Sequence, residues 1–187
     1  MSKEKKFWNK IAANYDKRVF KKFSGTYNKT IELSSKYYKP EFTALDFACG
    51  TGITTIQLAK FAPKIIAFDI SDKMIDIAKQ KSESLQIKNI EFLVTDIFDS
   101  KFDNQKFDII TAFNILSMFD DLPKILNRIY SLLSPEGIFL STTDCLGEKK
   151  SILVYFYKFL SKIGIIPKMK FYSIKEIENI FTKNHFQ

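Results

Sequence analysis

The chain has 187 residues, of which 45% are apolar and 27% charged, a balance typical of one globular domain rather than a disordered chain. Its two cysteines have no metal-binding spacing, and its single histidine, His185, argues against histidine-based triads and multi-histidine metal centres. No apolar run reaches the ~20 residues of a transmembrane helix and no signal peptide opens the chain, so we expect a cytoplasmic protein.

The positive charge of the chain is confined to its N-terminus. Residues 1–40 carry 11 Lys and Arg against 3 Asp and Glu, whereas residues 41–187 carry 18 of each. Such a segment is either the solvated face of lysine-rich helices or a basic arm that steers a phosphate-bearing or acidic ligand. We favour the solvated face, because the rest of the chain is neutral, and we do not expect nucleic acid to be the partner.

Helical spacing predicts two helices before Pro40, over residues 7–22 and 26–38, followed by alternating strands and helices. The predicted strands are 44–48, 65–68, 90–94, 107–113 and 137–142. The predicted helices are 54–61, 72–85, 122–133, 151–163 and 174–183, with Ser71 and Ser173 as N-caps. This alternation predicts an α/β fold: a Rossmann-like, doubly wound, mainly parallel sheet with helices on both faces.

We expect one domain over residues 1–187 with three parts. These are an N-terminal helical cap (1–40), a ligand-binding core (41–145), and a lid helix with a C-terminal helix (146–187). Parallel sheets bind ligands at the carboxyl ends of their strands. The residues at those ends are therefore the first candidates for a site.

Polar residues and glycines stand at several of the predicted strand ends. Asp46, Gly50 and Gly52 belong to the first strand and its turn, Asp69 ends the second strand, and Asp96 follows the third. Glycines allow the backbone to approach a ligand closely. A carboxylate after the second strand suits the two hydroxyls of a ribose, and one after the third can accept a hydrogen bond from an exocyclic amine. Together they predict a site for a nucleoside with a polar tail, and up to this point a pyrophosphate would fit equally well.

The turn after the first strand departs from two common nucleotide motifs. Thr55 occupies the third glycine position of a dinucleotide fingerprint, and no Gly-Lys-Ser/Thr follows the turn, so a P-loop is absent. The chain instead resembles the class I S-adenosylmethionine-dependent methyltransferases. The matching stretches, in order, are Trp8–Asp16, Leu45–Gly52, Ala67–Ile75, Phe92–Asp96, Phe107–Ile110 and Leu132–Gly137. The first of them resembles the N-terminal helix of small-molecule and quinone methyltransferases.

The resemblance implies S-adenosylmethionine as the cofactor and assigns residues to it. Asp46 and the Ala48–Gly52 backbone would hold the methionine end, which Asn114 would line and Tyr15 would close. Asp69 would bind the ribose and Asp96 the adenine amine. The full implied set is Tyr15, Asp46, Ala48, Gly50, Gly52, Asp69, Ile70, Met74, Asp96, Ile97 and Asn114. No metal is expected.

The chain also departs from the family pattern. Ala48 stands where the family usually has glycine, which narrows the expected pocket by one methyl group. No histidine follows the fourth strand, so no general base is assigned. The chain stops about where a sixth strand would begin, so the final strand hairpin of the family is expected to be missing. A catalytically silent, cofactor-binding partner subunit therefore stays open as an alternative.

The acceptor pocket is expected between the N-terminal helix and the segment after the fifth strand. Apolar residues in that segment recur at helical spacing, at Ile152, Tyr155, Phe156, Phe159, Leu160 and Ile163. This helix is either packed on the core or a lid over the acceptor that also touches a membrane surface. Candidate acceptor contacts are Trp8, Phe119, Tyr155 and Phe159.

These observations favour methyl transfer to a small acceptor, lipophilic or aromatic in character. The sulfonium of the cofactor already carries a good leaving group, so the protein mainly has to align the reactants and exclude water. Methylation of a macromolecule, RNA or protein, steered by the basic segment, is the alternative enzymatic function. The sequence predicts neither the acceptor atom nor the oligomeric state.

Overall fold

The computed structural model, which describes residues 1–148 and 151–186, contains one sheet of five parallel strands. The strands are β1 (Thr43–Phe47), β2 (Lys64–Asp69), β3 (Ile90–Val94), β4 (Phe107–Phe113) and β5 (Leu133–Thr142). They lie in the order β3-β2-β1-β4-β5, so the strand order reverses between β1 and β4. The predicted Rossmann-like α/β fold is confirmed.

Seven α-helices accompany the sheet in the described residues. They are α1 (Lys3–Ile11), α2 (Tyr15–Ser35), α3 (Ile53–Leu58), α4 (Asp72–Ser84), α5 (Leu122–Leu132), α6 (Ile152–Lys162) and α7 (Ile174–Lys183). Both predicted serine caps are confirmed: Ser71 Oγ accepts from the backbone N–H of Met74, and Ser173 forms a capping box with Glu176. None of these helices is long and apolar enough to cross a membrane.

Alternating side chains of the strands build a hydrophobic core on each face of the sheet. Along β2, Ile66 and Phe68 pack in the core beneath α5, whereas Ile65 and Ala67 pack in the core beneath α3 and α4. This alternation follows from the two-residue period of a strand. Burial on both faces explains why β2 is apolar along nearly its whole length, and only its terminal Asp69 brings a charge to the rim.

The N-terminal helices divide at a different place from the one predicted. A 3-10 turn over Ala12–Asn14 separates α1 from α2, and α2 then continues through Gly25 without a break. A single glycine costs only about 1 kcal/mol inside a helix, so it does not have to end one. The turn lets α1 fold back onto α4, and this packing places the boundary between α1 and α2 at Ala12–Asn14.

The fifth strand begins earlier than predicted, at Leu133 rather than Gly137. Phe107 pairs with Leu133 but Ile109 pairs with Ile138, so extra residues bulge out of the pairing between them. Glu136 lies in this bulge with a φ of 60°. The strand therefore follows α5 directly, and residues 134–136, which lay between the predicted helix and the predicted strand, belong to it.

Candidate active site

A cavity of about 300 Å³ lies at the carboxyl ends of the strands, next to the reversal of strand order. Eleven of the fifteen predicted site residues line it: Trp8, Tyr15, Ala48, Gly50, Asp69, Ile70, Met74, Asp96, Ile97, Asn114 and Phe119. The other four, Asp46, Gly52, Tyr155 and Phe159, lie elsewhere. Of the residues predicted from their position at strand ends, Gly50, Asp69 and Asp96 line the cavity, and most of the others in this set were implied by the family resemblance.

The turn after β1 has a left-handed backbone at three positions. Ala48, Gly50 and Gly52 have φ angles of 57°, 56° and 74°. A Cβ atom at Gly50 would meet nothing within 4 Å, so the space beside this glycine is free for a ligand. A Cβ atom at Gly52 would lie 3.2 Å from the Cβ of Ala78. The structure thus gives Gly52 a role in packing α3 against α4 rather than a place on the cavity wall.

Ala48 is strained because a left-handed conformation costs a residue with a Cβ roughly 1–2 kcal/mol. We expect Ala48→Gly to raise the free energy of unfolding, by up to about 1 kcal/mol after the added entropy of the unfolded chain is subtracted. Chemical unfolding of the purified variant measures the change. Ala13→Gly, in an exposed helical turn, is the control and should lower stability. If Ala48→Gly lowered the free energy of unfolding as much as Ala13→Gly does, the backbone strain assigned to Ala48 would be wrong.

Two backbone amides hold the Asp69 carboxylate at the end of β2. Its Oδ2 accepts from the N–H of Gly50 at 3.1 Å, and its Oδ1 accepts from the N–H of Ser71 at 2.8 Å. Burial raises the pKa of Asp69, while these amide hydrogen bonds act in the opposite direction. A carboxylate has about four acceptor positions, so it retains capacity for an incoming hydroxyl group. Asp69 is therefore oriented before any ligand binds.

Asp96 stands at the exposed rim of the cavity, beyond β3. Its Oδ1 accepts from the backbone N–H of Phe98 at 2.8 Å, which leaves Oδ2 for an outside donor. Next to it, Ile97 and Met74 are buried and also line the cavity wall. Met74 is thus both a core residue and a wall residue. An apolar slot with one acceptor at its edge fits a flat ring that carries an amine, such as adenine.

Asp46 lies beneath the site rather than on the main cavity. Thr55 Oγ1 donates to its Oδ2 at 2.5 Å, and Thr111 Oγ1 donates to its Oδ1 at 2.9 Å. These bonds join β1 to α3 and β4, and they explain the threonine at the third glycine position. Burial raises the pKa of Asp46 from 3.8 to about 6. A small side cavity of about 40 Å³ reaches Asp46 past Tyr15 and Gly50, which also line the main cavity.

The N-terminal helices cover one side of the cavity with aromatic side chains. Trp8 of α1 and Tyr15 of α2 line it, with their rings in edge contact and their centroids 6.3 Å apart. The Tyr15 hydroxyl lies 3.4 Å from that of Tyr27, and burial raises the pKa of the Tyr15 phenol. Tyr15 is therefore a neutral hydrogen-bonding group at neutral pH.

Two polar residues that the sequence analysis missed fasten this cap to the core. Asn9 accepts from Ser71 Oγ at 2.6 Å and donates to Asp72 at 2.9 Å. Asp16 accepts from Thr51 Oγ1 at 2.5 Å and from Lys81 Nζ at 2.7 Å. Asp16 had one usable signal, since it is a rare acidic residue in a basic segment. The basic N-terminal segment therefore also attaches α1 and α2 to the core.

The opposite wall of the cavity comes from the segment after β4 and from residues near α6. Asn114 has a φ of 58°, which asparagine tolerates better than most residues, and Thr142 Oγ1 donates to its side-chain oxygen at 3.2 Å. Phe119 packs on Phe47 with ring centroids 5.5 Å apart. Further wall residues that were not predicted are Glu4, Phe47, Phe68, Phe98, Phe113, Ile115, Met118, Asp120, Ile125, Pro167 and Lys168. The positions after β4 could have been found from the strand-end rule, whereas Pro167 and Lys168 carry no such signal.

Tyr155 and Phe159 are not brought to the cavity, contrary to the prediction for the lid helix. Both are more than half exposed on α6. The helix is instead held by Val154 and Ser161, which are buried. Because these two residues lie on the opposite side of the helix from the predicted stripe, the stripe faces outward. The structure therefore supports neither contact with an acceptor in the cavity nor packing of the stripe on the core.

Comparison with known proteins connects this site to one family. Residues 38–166 match the model of a methyltransferase domain. A demethylmenaquinone methyltransferase of Bacillus cereus is 30% identical over 165 residues, covering 78% of this chain and 70% of the relative. A malonyl-[acyl-carrier protein] O-methyltransferase of Priestia megaterium is 28% identical over 182 residues, covering 94% of this chain and 65% of the relative. The chain thus spans about two thirds of the length of these relatives.

Solved structures share the same fold at lower sequence identity. A complex of DhpI with SAH superposes with a TM-score of 0.74 at 21% identity, covering 97% of this chain and 85% of that one. The cyclopropane synthase MmaA2 from Mycobacterium tuberculosis gives a TM-score of 0.69 at 20% identity, covering 85% and 60%. At these identities the likeness concerns the fold alone.

Proposed function

The chain belongs to the methyltransferase domain family, and from this premise we propose that it transfers a methyl group from S-adenosylmethionine to a small acceptor of lipophilic or aromatic character. The observation that carries the proposal is the cavity, which combines a pre-oriented Asp69, the open backbone at Gly50 and an apolar slot ending at Asp96. Each part matches one part of an adenosine. A pyrophosphate-bearing dinucleotide has no comparable glycine-rich cradle here.

The residues present fit the cofactor at three places. Asp69 would bind the ribose hydroxyls, and Met74 and Ile97 would hold the adenine ring, with its amine at Asp96. The methionine end would lie along the Ala48–Gly50 backbone. There the side cavity leads to Asp46, whose carboxylate complements an ammonium group.

The bound cofactor supplies an electrophilic methyl group on a sulfonium with a good leaving group. The protein then has to orient the acceptor and keep water out, and its own side chains do both. Trp8 and Tyr15 shield one side of the cavity, and Phe119 shields the other. The neutral Tyr15 phenol removes no proton from an acceptor near neutral pH. An acceptor of this enzyme is therefore expected to bring an acidic or already nucleophilic atom.

The acceptor is proposed to be lipophilic because the wall away from Asp69 is largely apolar. Trp8, Ile115, Met118, Phe119 and Ile125 line that part of the cavity. Such a surface favours an aromatic or aliphatic guest. One relative is named for demethylmenaquinone, which supports this class.

We expect S-adenosylhomocysteine, the demethylated cofactor, to raise the Tm of the protein. A ligand at 100 times its Kd stabilises by about 2.7 kcal/mol at 25 °C. Thermal denaturation with and without ligand measures the shift, and calorimetry gives the Kd. NAD is the control and should have no effect. A Tm shift with NAD but none with S-adenosylhomocysteine would contradict the proposal. The proposal would also be contradicted if no component of a lipid and metabolite extract accepted a methyl group from labelled cofactor.

A further inference from the structure

Helix α6 turns its apolar stripe away from the protein. Val154 and Ser161, which are 5% and 8% exposed, form its inner side. Successive residues lie about 100° apart around a helix, so Phe156 and Ile163 are roughly opposite these two. Ser161 also accepts from the backbone N–H of Met169 at 3.1 Å, which ties the inner side to the chain that follows. The outward orientation therefore follows from specific contacts.

The outer side of α6 and the residues after it expose an unusual amount of apolar surface. Eight large apolar side chains between positions 152 and 165 are exposed: Ile152, Leu153, Tyr155, Phe156, Tyr157, Phe159, Ile163 and Ile165. Ile152 is 89% exposed, and Phe156 and Phe159 are 54% and 57% exposed. A contiguous apolar patch of this kind marks an interaction surface. We call it the α6 face.

Positive charge surrounds the α6 face. Residues 149–175 contain seven lysines and no aspartate or glutamate, whereas the rest of residues 41–187 carries 11 Lys and Arg against 18 Asp and Glu. Two of these lysines, Lys168 and Lys170, lie 3.6 Å from Asp120. Lys158 and Lys162 lie one turn apart on α6 and line a groove beneath it, and Lys158 Nζ lies 5.2 Å from the centroid of the Phe171 ring. Lysine is depleted at protein–protein interfaces, whereas an apolar helix face bordered by lysines is typical of helices that lie on anionic lipid.

A groove under α6 leads toward the active-site cavity. It has a volume of about 410 Å³ and lies between α6 and the turn after β4. Met118, Phe119, Asp120 and Lys168 line both the groove and the cavity, so the two adjoin. The groove therefore connects the underside of α6 with the cavity.

We propose that α6 docks the protein on the surface of an anionic lipid bilayer. The exposed aromatic and aliphatic side chains of the α6 face enter the boundary between headgroups and acyl chains, and the flanking lysines contact the lipid phosphates. The docking itself does not depend on methyl transfer. Only its consequence, that a lipophilic acceptor enters through the groove, rests on the proposed function.

Sedimentation of the full chain with vesicles tests the docking. We expect binding to vesicles of equal parts phosphatidylglycerol and phosphatidylcholine, and at least tenfold weaker binding to pure phosphatidylcholine. Phe156→Ser with Phe159→Ser should weaken binding at least tenfold. Lys158→Gln with Lys162→Gln should weaken it about fivefold for each lysine. Because all four residues are exposed, each variant should keep its Tm and its Tm shift with S-adenosylhomocysteine.

A matched aromatic pair on α2 provides the control. Phe20 and Phe23 have the same spacing, similar exposure and neighbouring lysines. Phe20→Ser with Phe23→Ser should leave vesicle binding unchanged, and an equal loss there would overturn the assignment to α6. The proposal is also overturned if neither vesicle binds, or if the unmodified chain is a dimer that Phe156→Ser with Phe159→Ser dissociates. Vesicle binding without a Tm shift would contradict the proposed function and leave the docking intact.

Discussion

Asp69→Ala should weaken the binding of S-adenosylhomocysteine by about 1–3 kcal/mol, roughly five- to 150-fold in Kd, because hydrogen bonds from the ribose to a charged acceptor are lost. The structure adds a second expected effect. The N–H groups of Gly50 and Ser71 both donate to this carboxylate, so alanine leaves them unpaired and lowers the free energy of unfolding as well. Calorimetry and chemical unfolding measure the two effects separately.

Asp69→Asn distinguishes binding from folding. Asparagine keeps one acceptor oxygen for an amide but loses the charge, so it should reduce stability less than alanine and still lose at least tenfold in affinity. Asp76→Asn, on the exposed side of α4, is the matched control and should change neither quantity. If Asp69→Ala unfolds the protein while folded Asp69→Asn binds with unchanged Kd, Asp69 is structural and the assignment to the ribose is wrong.

Asp46 should make the protein less stable as the pH rises from about 4 to 7. Burial raises its pKa from 3.8 to about 6, so the folded state holds a proton that the unfolded state releases over this interval. The stabilisation is complete below pH 3.8 and is lost as the pH rises through about 6. A shift of roughly two pKa units corresponds to about 3 kcal/mol. Asp46→Asn removes this titration while keeping a hydrogen-bonding group for Thr55 and Thr111.

Chemical unfolding of both proteins at several pH values tests this expectation. The stability of the Asp46→Asn variant relative to the unmodified chain should rise by about 3 kcal/mol from pH 4 to pH 7. Asp108→Asn is a control of opposite sign, because hydrogen bonds from Thr43 lower the pKa of Asp108. Its unmodified carboxylate stabilises above its unfolded pKa, and that contribution is lost as the pH falls. A difference between Asp46→Asn and the unmodified chain that does not vary with pH would show that Asp46 titrates normally.

Local patterns and the family resemblance were sufficient for four of the five strands and for eleven of the 22 residues that line the cavity. Phe107 to Phe113 was predicted as a strand with the bounds that the structure has, because a strand buried on both faces is apolar at most successive positions. Asp69 and Asp96 were selected by position alone, since parallel strands place their carboxyl ends at one edge. No contact between distant residues had to be known for either.

Asp46 and Gly52 show where position along the strand was insufficient. Both belong to the turn motif, yet one is enclosed by Thr55 and Thr111 and the other faces Ala78. The partners of these two residues lie on other elements of the fold. The depth of a strand-end residue below the rim depends on the layers packed above it, which the motif does not encode.

The sequence by itself determined the order of the strands and helices, the family resemblance, and the residues on the rim. The tertiary structure alone decided which side of α6 meets the protein. Helical spacing identified the stripe from Ile152 to Ile163, but an apolar stripe satisfies the pattern equally whether it is buried or exposed. Val154 and Ser161 settle the orientation because both are buried, and Ser161 also forms hydrogen bonds with Pro167 and Met169 in the turn after α6, which helical spacing does not encode. The stripe predicted as lid or core is therefore the outer surface of the molecule.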